Sequence, residues 1–241
     1  AGAARGAETP NILFIIADDA SRHFGQAYDS NWVKTPNIDK LAEEGLVFDN
    51  AYVATAKCAP CRASTMTGRF PWQIEAGANH QNVFPDNYPA FGEVLQAAGI
   101  QTGAVGKTWG PGTAHHVDGS ARDFGLTIIS KKKVPDDFFG NFLKARKEGA
   151  PAFFYWHGSS DPHRGYKKDS GIAAGKKLSD IDHVPAYWPD NDIVRGDMLN
   201  YSIEVERFDT HVGELLADLE ASGEAENTLV IVTSDHGMPF P

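Results

Sequence analysis

The sequence predicts an α/β protein, a mostly parallel sheet sandwiched by helices in one large domain. Three observations predict it. Short uninterrupted apolar runs such as NILFIIA and TLVIVTS recur, as strands buried on both faces do. Helical patterns separate them, so strand and helix alternate. The 241 residues, 41% hydrophobic and 22% charged, suffice to enclose a core.

Taken in order, Asn11–Ala17 is the first strand. Thr35 as N-cap, Pro36 at the first helical position and Gly45 at the end bracket the helix PNIDKLAEE. LVFDNAYV (46–53) reads as a second strand. A helix over 89–98, closed by Gly99, leads into a strand over 101–105. Phe138, Phe139, Phe142 and Leu143 share one face of a helix over 135–147, ahead of the strand PAFFYWH (151–157). The stretch 165–192, rich in Lys, Asp, Gly and Pro, reads as a surface loop. Tyr201, Val205, Phe208, Val212, Leu215, Leu216 and Leu219 recur every three or four residues in the longest helix, 196–222. The strand 228–234 follows. There is no internal repeat and no low-complexity tract.

Charge narrows the functional classes. With 22 Lys and Arg against 32 Asp and Glu, the net charge is −10, which disfavours a nucleic-acid partner. The one basic run, Lys131–Lys133, reads as a solvated loop. No apolar stretch has the length of a membrane span. Residues 1–9, small and polar, read as a disordered or processed leader, either the remnant of a cleaved export signal or a cloning scar. The chain stops at Pro241 soon after an interior-type strand, so the expectation is a domain, 10–241, that is incomplete at its C-terminus.

In open parallel sheets, ligands bind beyond the carboxyl ends of the strands. The polar residues there are Asp18 and Asp19 after the first strand, Lys107 after QTGAV, and His157, Asp161 and His163 around the end of PAFFYWH. Asp235 and His236 follow the last strand. Adjacent carboxylates repel unless a cation or proton lies between them. Three carboxylates at strand ends suit Ca²⁺ or Mg²⁺, and the histidine leaves Mn²⁺ or Zn²⁺ open. The bland alternative is helix capping by Asp18 or Asp19 and an Asx turn at Asp235.

The only two cysteines, Cys58 and Cys61, lie in KCAPCRASTMTGR. A redox CxxC pair, half of a zinc site and two inert buried thiols are the readings their spacing leaves open. The surrounding residues add a resemblance. Cys58-x-Pro60-x-Arg62 with the downstream Thr67-Gly68 resembles the sulfatase signature C-x-P-x-R. The segments TPNIDKLAEEG, CAPCRAS, TGAVGK, DPHR and NTLVIVTSDHGMPFP are similar to the sulfamidase branch of that family and to bacterial polysaccharide sulfatases.

The resemblance implies an alkaline-phosphatase-like fold lacking its C-terminal subdomain. It implies that a formylglycine-generating enzyme oxidises Cys58 to formylglycine, whose hydrate is the nucleophile. Asp18, Asp19, Cys58, Asp235 and His236 would surround Ca²⁺, with Mg²⁺ or Mn²⁺ as alternatives. Arg62 would orient the hydrate. Lys107 and His163 would hold the sulfate, His163 would protonate the leaving group, and His80, beside Gln81, would contact sugar. The substrate would be a sulfated sugar or glycosaminoglycan, and the location periplasmic or secreted, or lysosomal in a eukaryote. His236 stands where many members have asparagine; phosphonate and phosphodiester hydrolases with the same aldehyde also carry Asp-His-Gly, and such a hydrolase is one alternative. An inactive metal- or sugar-binding relative is the other alternative. Trp109 takes the place of a second histidine, leaving His115 or His116 to supply its acid–base role, and a further basic sulfate ligand would lie beyond Pro241.

Overall fold

The computed structural model describes residues 9–130 and 138–238. Residues 1–8 of the leader, the Lys131–Lys133 run and Pro241 lie outside the described residues. Along the chain run β1 (Asn11–Ala17), α1 (Pro36–Glu44), α2 (Cys58–Thr67), β2 (Asn82–Phe84), α3 (Phe91–Ala97) and β3 (Gln101–Gly106). Then follow β4 (Gly112–Ala114), β5 (Ile128–Ser130), α4 (Phe138–Ala145), β6 (Phe153–Gly158), α5 (Ser170–Ala173), α6 (Asp192–Ser222) and β7 (Thr228–Ser234).

Five strands form one sheet in the order β5-β3-β6-β1-β7, with every pairing parallel. β2 and β4 form a separate two-stranded ribbon. The pleat sorts side chains onto two faces. Leu13, Ile15, Phe153 and Tyr155 pack with Phe139 of α4, Ile38 of α1 and Met198, Val205, Phe208 and Val212 of α6. Ile16, Ala104, Phe154 and Trp156 pack on the opposite side with Ala63 and Met66 of α2 and Phe91 of α3. Burial on both faces is why β1 and β6 carry no polar alternation.

Two expectations fail. LVFDNAYV is not a strand: it has no ladder partner among the described residues, and Leu46, Phe48 and Tyr52 are 86%, 68% and 88% exposed. Apolar residues with β propensity do not make a strand without a neighbour to pair with. The stretch 165–192 is not wholly loop, since it contains α5 and a short 3₁₀ turn at Leu178–Asp180 that both pack on α6.

Backbone bonds continue the ladder beyond the strand ends. Ser159 N donates to Ile16 O (3.0 Å), Asp18 N to Asp161 O (3.0 Å), and Lys107 N to Gly158 O (2.9 Å). The loops after β1, β3 and β6 are thereby tied to one another, and that edge of the sheet is where the candidate residues meet.

Candidate active site and metal centre

The site is built by four adjacent strand ends and one helix N-terminus. Cys58 opens α2, with Pro60 in the first turn, where its missing N–H leaves no helical bond unmade. Gly68 closes the helix in the left-handed conformation, its N–H bonding Ser64 O. The positive end of the helix dipole therefore faces the carboxylates beyond β1 and β7.

Arg62, one turn along α2, is not a surface ion-pair residue; it has no exposed area. Its Nε donates to Asp235 Oδ2 (3.0 Å) and its Nη2 to Asp18 Oδ1 (3.2 Å). Its Nη1 donates to the carbonyls of Lys107 (2.9 Å) and Thr108 (3.1 Å). One guanidinium thus ties together the ends of β1, β3 and β7. Lys107, about one-fifth exposed, places Nζ 2.5 and 2.7 Å from the two oxygens of Asp18.

A second group lies beside this one. Asp19, Cys58, Asp235 and His236 each present one donor atom within 4.8 Å of the others. His236 Nε2 lies 3.2 Å from Cys58 Sγ and 3.1 Å from Asp19 Oδ1. Cys58 Sγ is 3.9 Å from Asp19 Oδ1 and 4.0 Å from Asp18 Oδ1. Asp235 Oδ1 accepts from the backbone N–H of Asp19 and of His236, both at 2.9 Å.

Burial raises the pKa of Asp18, with Arg62 and Lys107 opposing it, and burial raises that of Asp19, with His163 and His236 opposing. Burial also acts on Asp235, but Arg62 and the hydrogen bonds to its carboxylate outweigh it and bring the group to about 2. Burial pushes the Cys58 thiol up against the pull of Lys107. Crowded acids whose ionisation is resisted by burial, next to a thiol and an imidazole, form a donor set that a divalent cation fits.

One histidine borders the group from the solvent side. His163 Nε2 lies 3.7 Å from Asp19 Oδ2, with its side chain nearly half exposed. Burial lowers the pKa of His80, with Lys57, Lys107, His236 and His163 acting the same way.

Several residues fall elsewhere. His157 is inside β6 and buried against His211, not in the site. Trp109 is structural, its Nε1 donating to Ala59 O (3.0 Å) and its ring packing on Phe84 and Phe124. Neither proposed substitute joins the group. His116 pairs with Asp86 at the surface, and His115 lies in an exposed bridge to Ala121. Cys61 Sγ contacts Asp235 O at 2.8 Å, and burial followed by Asp235 pushes its thiol to about 12, an inert sulfur.

Sequence reasoning missed the supports. Arg207 of α6 grips Asp161 with Nε and Nη2 at 2.7 and 2.6 Å, fixing the loop that carries His163. Trp156 Nε1 donates to Lys107 O (3.0 Å), and Tyr201 OH accepts from Ser21 N (2.9 Å) just after the paired aspartates. Their only signal in the sequence is helical or strand periodicity, which marks core rather than support.

The sulfatase family model matches residues 10–240. Human N-sulphoglucosamine sulphohydrolase is 31% identical over 265 residues, covering 96% of this chain and 51% of that protein. An ulvan-active sulfatase of Formosa agariphila is 28% identical, covering 97% of this chain and 44% of its own length. A solved structure from work on glycosaminoglycan metabolism by Bacteroides thetaiotaomicron superposes with a TM-score of 0.78 at 20% identity, covering 95% of this chain and 62% of that one. The chain spans about half the length of these two curated relatives. A family match over nearly the whole chain, residues 10–240, places the protein in the sulfatase family.

Proposed function

We propose that residues 10–241 form the catalytic domain of a sulfatase that hydrolyses O- or N-linked sulfate from a sulfated sugar or polysaccharide. The observation that carries the reading is the meeting of Cys58, at the start of α2, with Asp19, Asp235 and His236. Formylglycine derived from Cys58 would provide the attacking hydroxyl, and a divalent ion, Ca²⁺ by the carboxylate count, would polarise the sulfuryl group. Asp18, Asp19, Asp235 and His236 would hold that ion.

The remaining chemistry belongs to side chains. Lys107 offers a partly exposed ammonium to sulfate oxygens, anchored from behind by Asp18. His163, open to solvent and steered by Asp19, donates a proton to the leaving oxygen or nitrogen. His80 contacts the sugar from the rim. Arg62 acts by holding Asp18 and Asp235 in place, its donors being committed there. The chain is read as exported, to a periplasm, the cell exterior or a lysosome. Among the described residues, no helix is long and apolar enough to cross a membrane.

The test is mass spectrometry of the tryptic peptide containing Cys58 after co-expression with a formylglycine-generating enzyme, with rates on sulfate, sulfamate and phosphonate esters. An aldehyde at residue 58 and preference for sulfur esters is the expected result. An intact thiol after competent maturation would remove the mechanism. Preference for phosphonate would move the chain to the related hydrolases that share Asp-His-Gly.

A further inference from the structure

We infer that Phe70 and Trp72, with Arg69 beside them, form a second carbohydrate contact, a stacking platform for a sulfated polysaccharide strand outside the catalytic pocket. The inference rests on the substrate class proposed above and adds where the rest of a polymer would lie.

Exposure singles the pair out. Trp32 and Trp156 are buried and Trp109 and Trp188 partly so, whereas Trp72 is 74% exposed. Phe70, 53% exposed, lies parallel to it, with ring centroids 4.5 Å apart and 6° between the planes. Two large rings left together in water are an apolar patch of the kind that marks a binding surface. A parallel pair offers a flat aromatic face, which suits the C–H face of a pyranose ring.

The local sequence holds the rings still. Gly68 ends α2 in the left-handed conformation, and Arg69 N donates to Thr67 Oγ1 (3.3 Å). Pro71 opens a 3₁₀ turn, Pro71–Gln73. Phe70 N donates to Gln73 Oε1 and Gln73 N to Phe70 O, both at 2.9 Å. Ile74, fully buried, anchors the turn in the core beneath. Rings fixed before a ligand arrives lower the ordering cost of binding.

Charge and size select the occupant. Arg69 is exposed, and among the described residues no carboxylate forms an ion pair with it. Its guanidinium lies 5.4 Å from the centroid of the Tyr88 ring, and the neighbouring acid, Glu75, accepts the Tyr88 hydroxyl at 2.8 Å. An unpaired cation beside the rings, in a chain of net charge −10, favours an anionic ligand. Two rings offer about 300–500 Å² even when wholly covered. A stable protein interface needs about 800 Å² from each partner, so a narrow strand fits the patch better than a protein. The ten residues of α2 span about 15 Å from Cys58, and the platform follows the far end of that helix. A ligand that reaches both places is a polymer rather than a single sugar.

The experiment uses the 241-residue chain with Cys58 unmodified, so that no turnover enters the result. Dextran sulfate is the probe, with neutral dextran, polyphosphate and oligothymidylate as comparisons. Dextran sulfate should quench the tryptophan emission contributed by Trp72 and bind more tightly than all three. In affinity electrophoresis, Trp72→Ala should weaken dextran sulfate by about tenfold, the size of one ring-stacking contact, while Trp72→Phe retains most of the affinity. Arg69→Gln should narrow the advantage of dextran sulfate over dextran. Both side chains are exposed, so the variants should keep the wild-type circular dichroism. Binding unaffected by Trp72→Ala, equal affinity for dextran or polyphosphate, or tighter binding of oligothymidylate would overturn the inference. Such a failure leaves the sulfatase reading standing, and a thiol that resists maturation leaves the binding result standing.

Discussion

Arg62 concentrates the electrostatics of the site in one side chain. Its guanidinium, fully buried, faces Asp18 and Asp235 and two carbonyls. Replacing it by alanine leaves two buried carboxylates facing each other without their shared cation. We expect Arg62→Ala to destabilise the fold by about 3–5 kcal/mol in urea denaturation and to reduce sulfate-ester turnover sharply. Unaltered stability would mean that the carboxylates find another partner. Asp235→Ala should lose metal and activity together in parallel titrations and rate assays, because that carboxylate belongs to both the cation pair and the metal group. Retained binding would place the ion elsewhere. At this scale the sequence was legible where a residue's chemistry is unusual for its position: paired acids after an apolar run, a lysine after a strand, a histidine after the last strand. It was silent on Arg207 and Trp156, because a support is defined by what it touches rather than by what it is.

Among the elements, the strands were read most accurately where both faces are buried. NILFIIA is β1 to the residue, since continuous apolar sequence has no other stable use at that length. LVFDNAYV has similar composition and fails, because pairing is a property of the neighbour as well as of the strand. α2 was read as a motif and not as a helix, since its cysteines, proline and polar residues give no apolar stripe. The close approach of two strand ends yields a prediction of its own. A Cβ on Gly158 would fall 1.9 Å from the carbonyl oxygen of Lys107. Gly158→Ala should therefore push β6 and β3 apart at the site, costing about 1–3 kcal/mol in denaturation and weakening sulfate binding through Lys107. Wild-type stability would mean that the backbone yields without cost.

For the molecule as a whole, stability should depend on pH through a buried histidine, His157, and a half-buried one, His23, outside the site. Burial lowers His157 to about 4, helped by His211, and burial lowers His23 to about 4, helped by Arg22. Both imidazoles are neutral in the fold, while the unfolded chain takes up their protons below about pH 6.5. Stability is then full above that value, declines as pH falls, and the decline from these groups ends near pH 4. The loss is on the order of 3 kcal/mol for His157 alone. Thermal unfolding at pH 7 and pH 5 should show a lower midpoint at pH 5, and His157→Leu should narrow the difference. An unchanged difference would assign the pH dependence to other groups.

The long separation of the site residues also has a consequence in time. Cys58 is buried, 8% exposed, by partners that include Asp235 and His236, which emerge from a ribosome long after it. Until β7 pairs with β1, that wall does not exist and the thiol stands open. Parallel pairings between such distant segments are slow to form. On the proposed function, an enzyme oxidising this sulfur would have its best access while the chain is still being made or is newly released. Alkylation of Cys58 should be fast in the unfolded chain and slow once the sheet has closed.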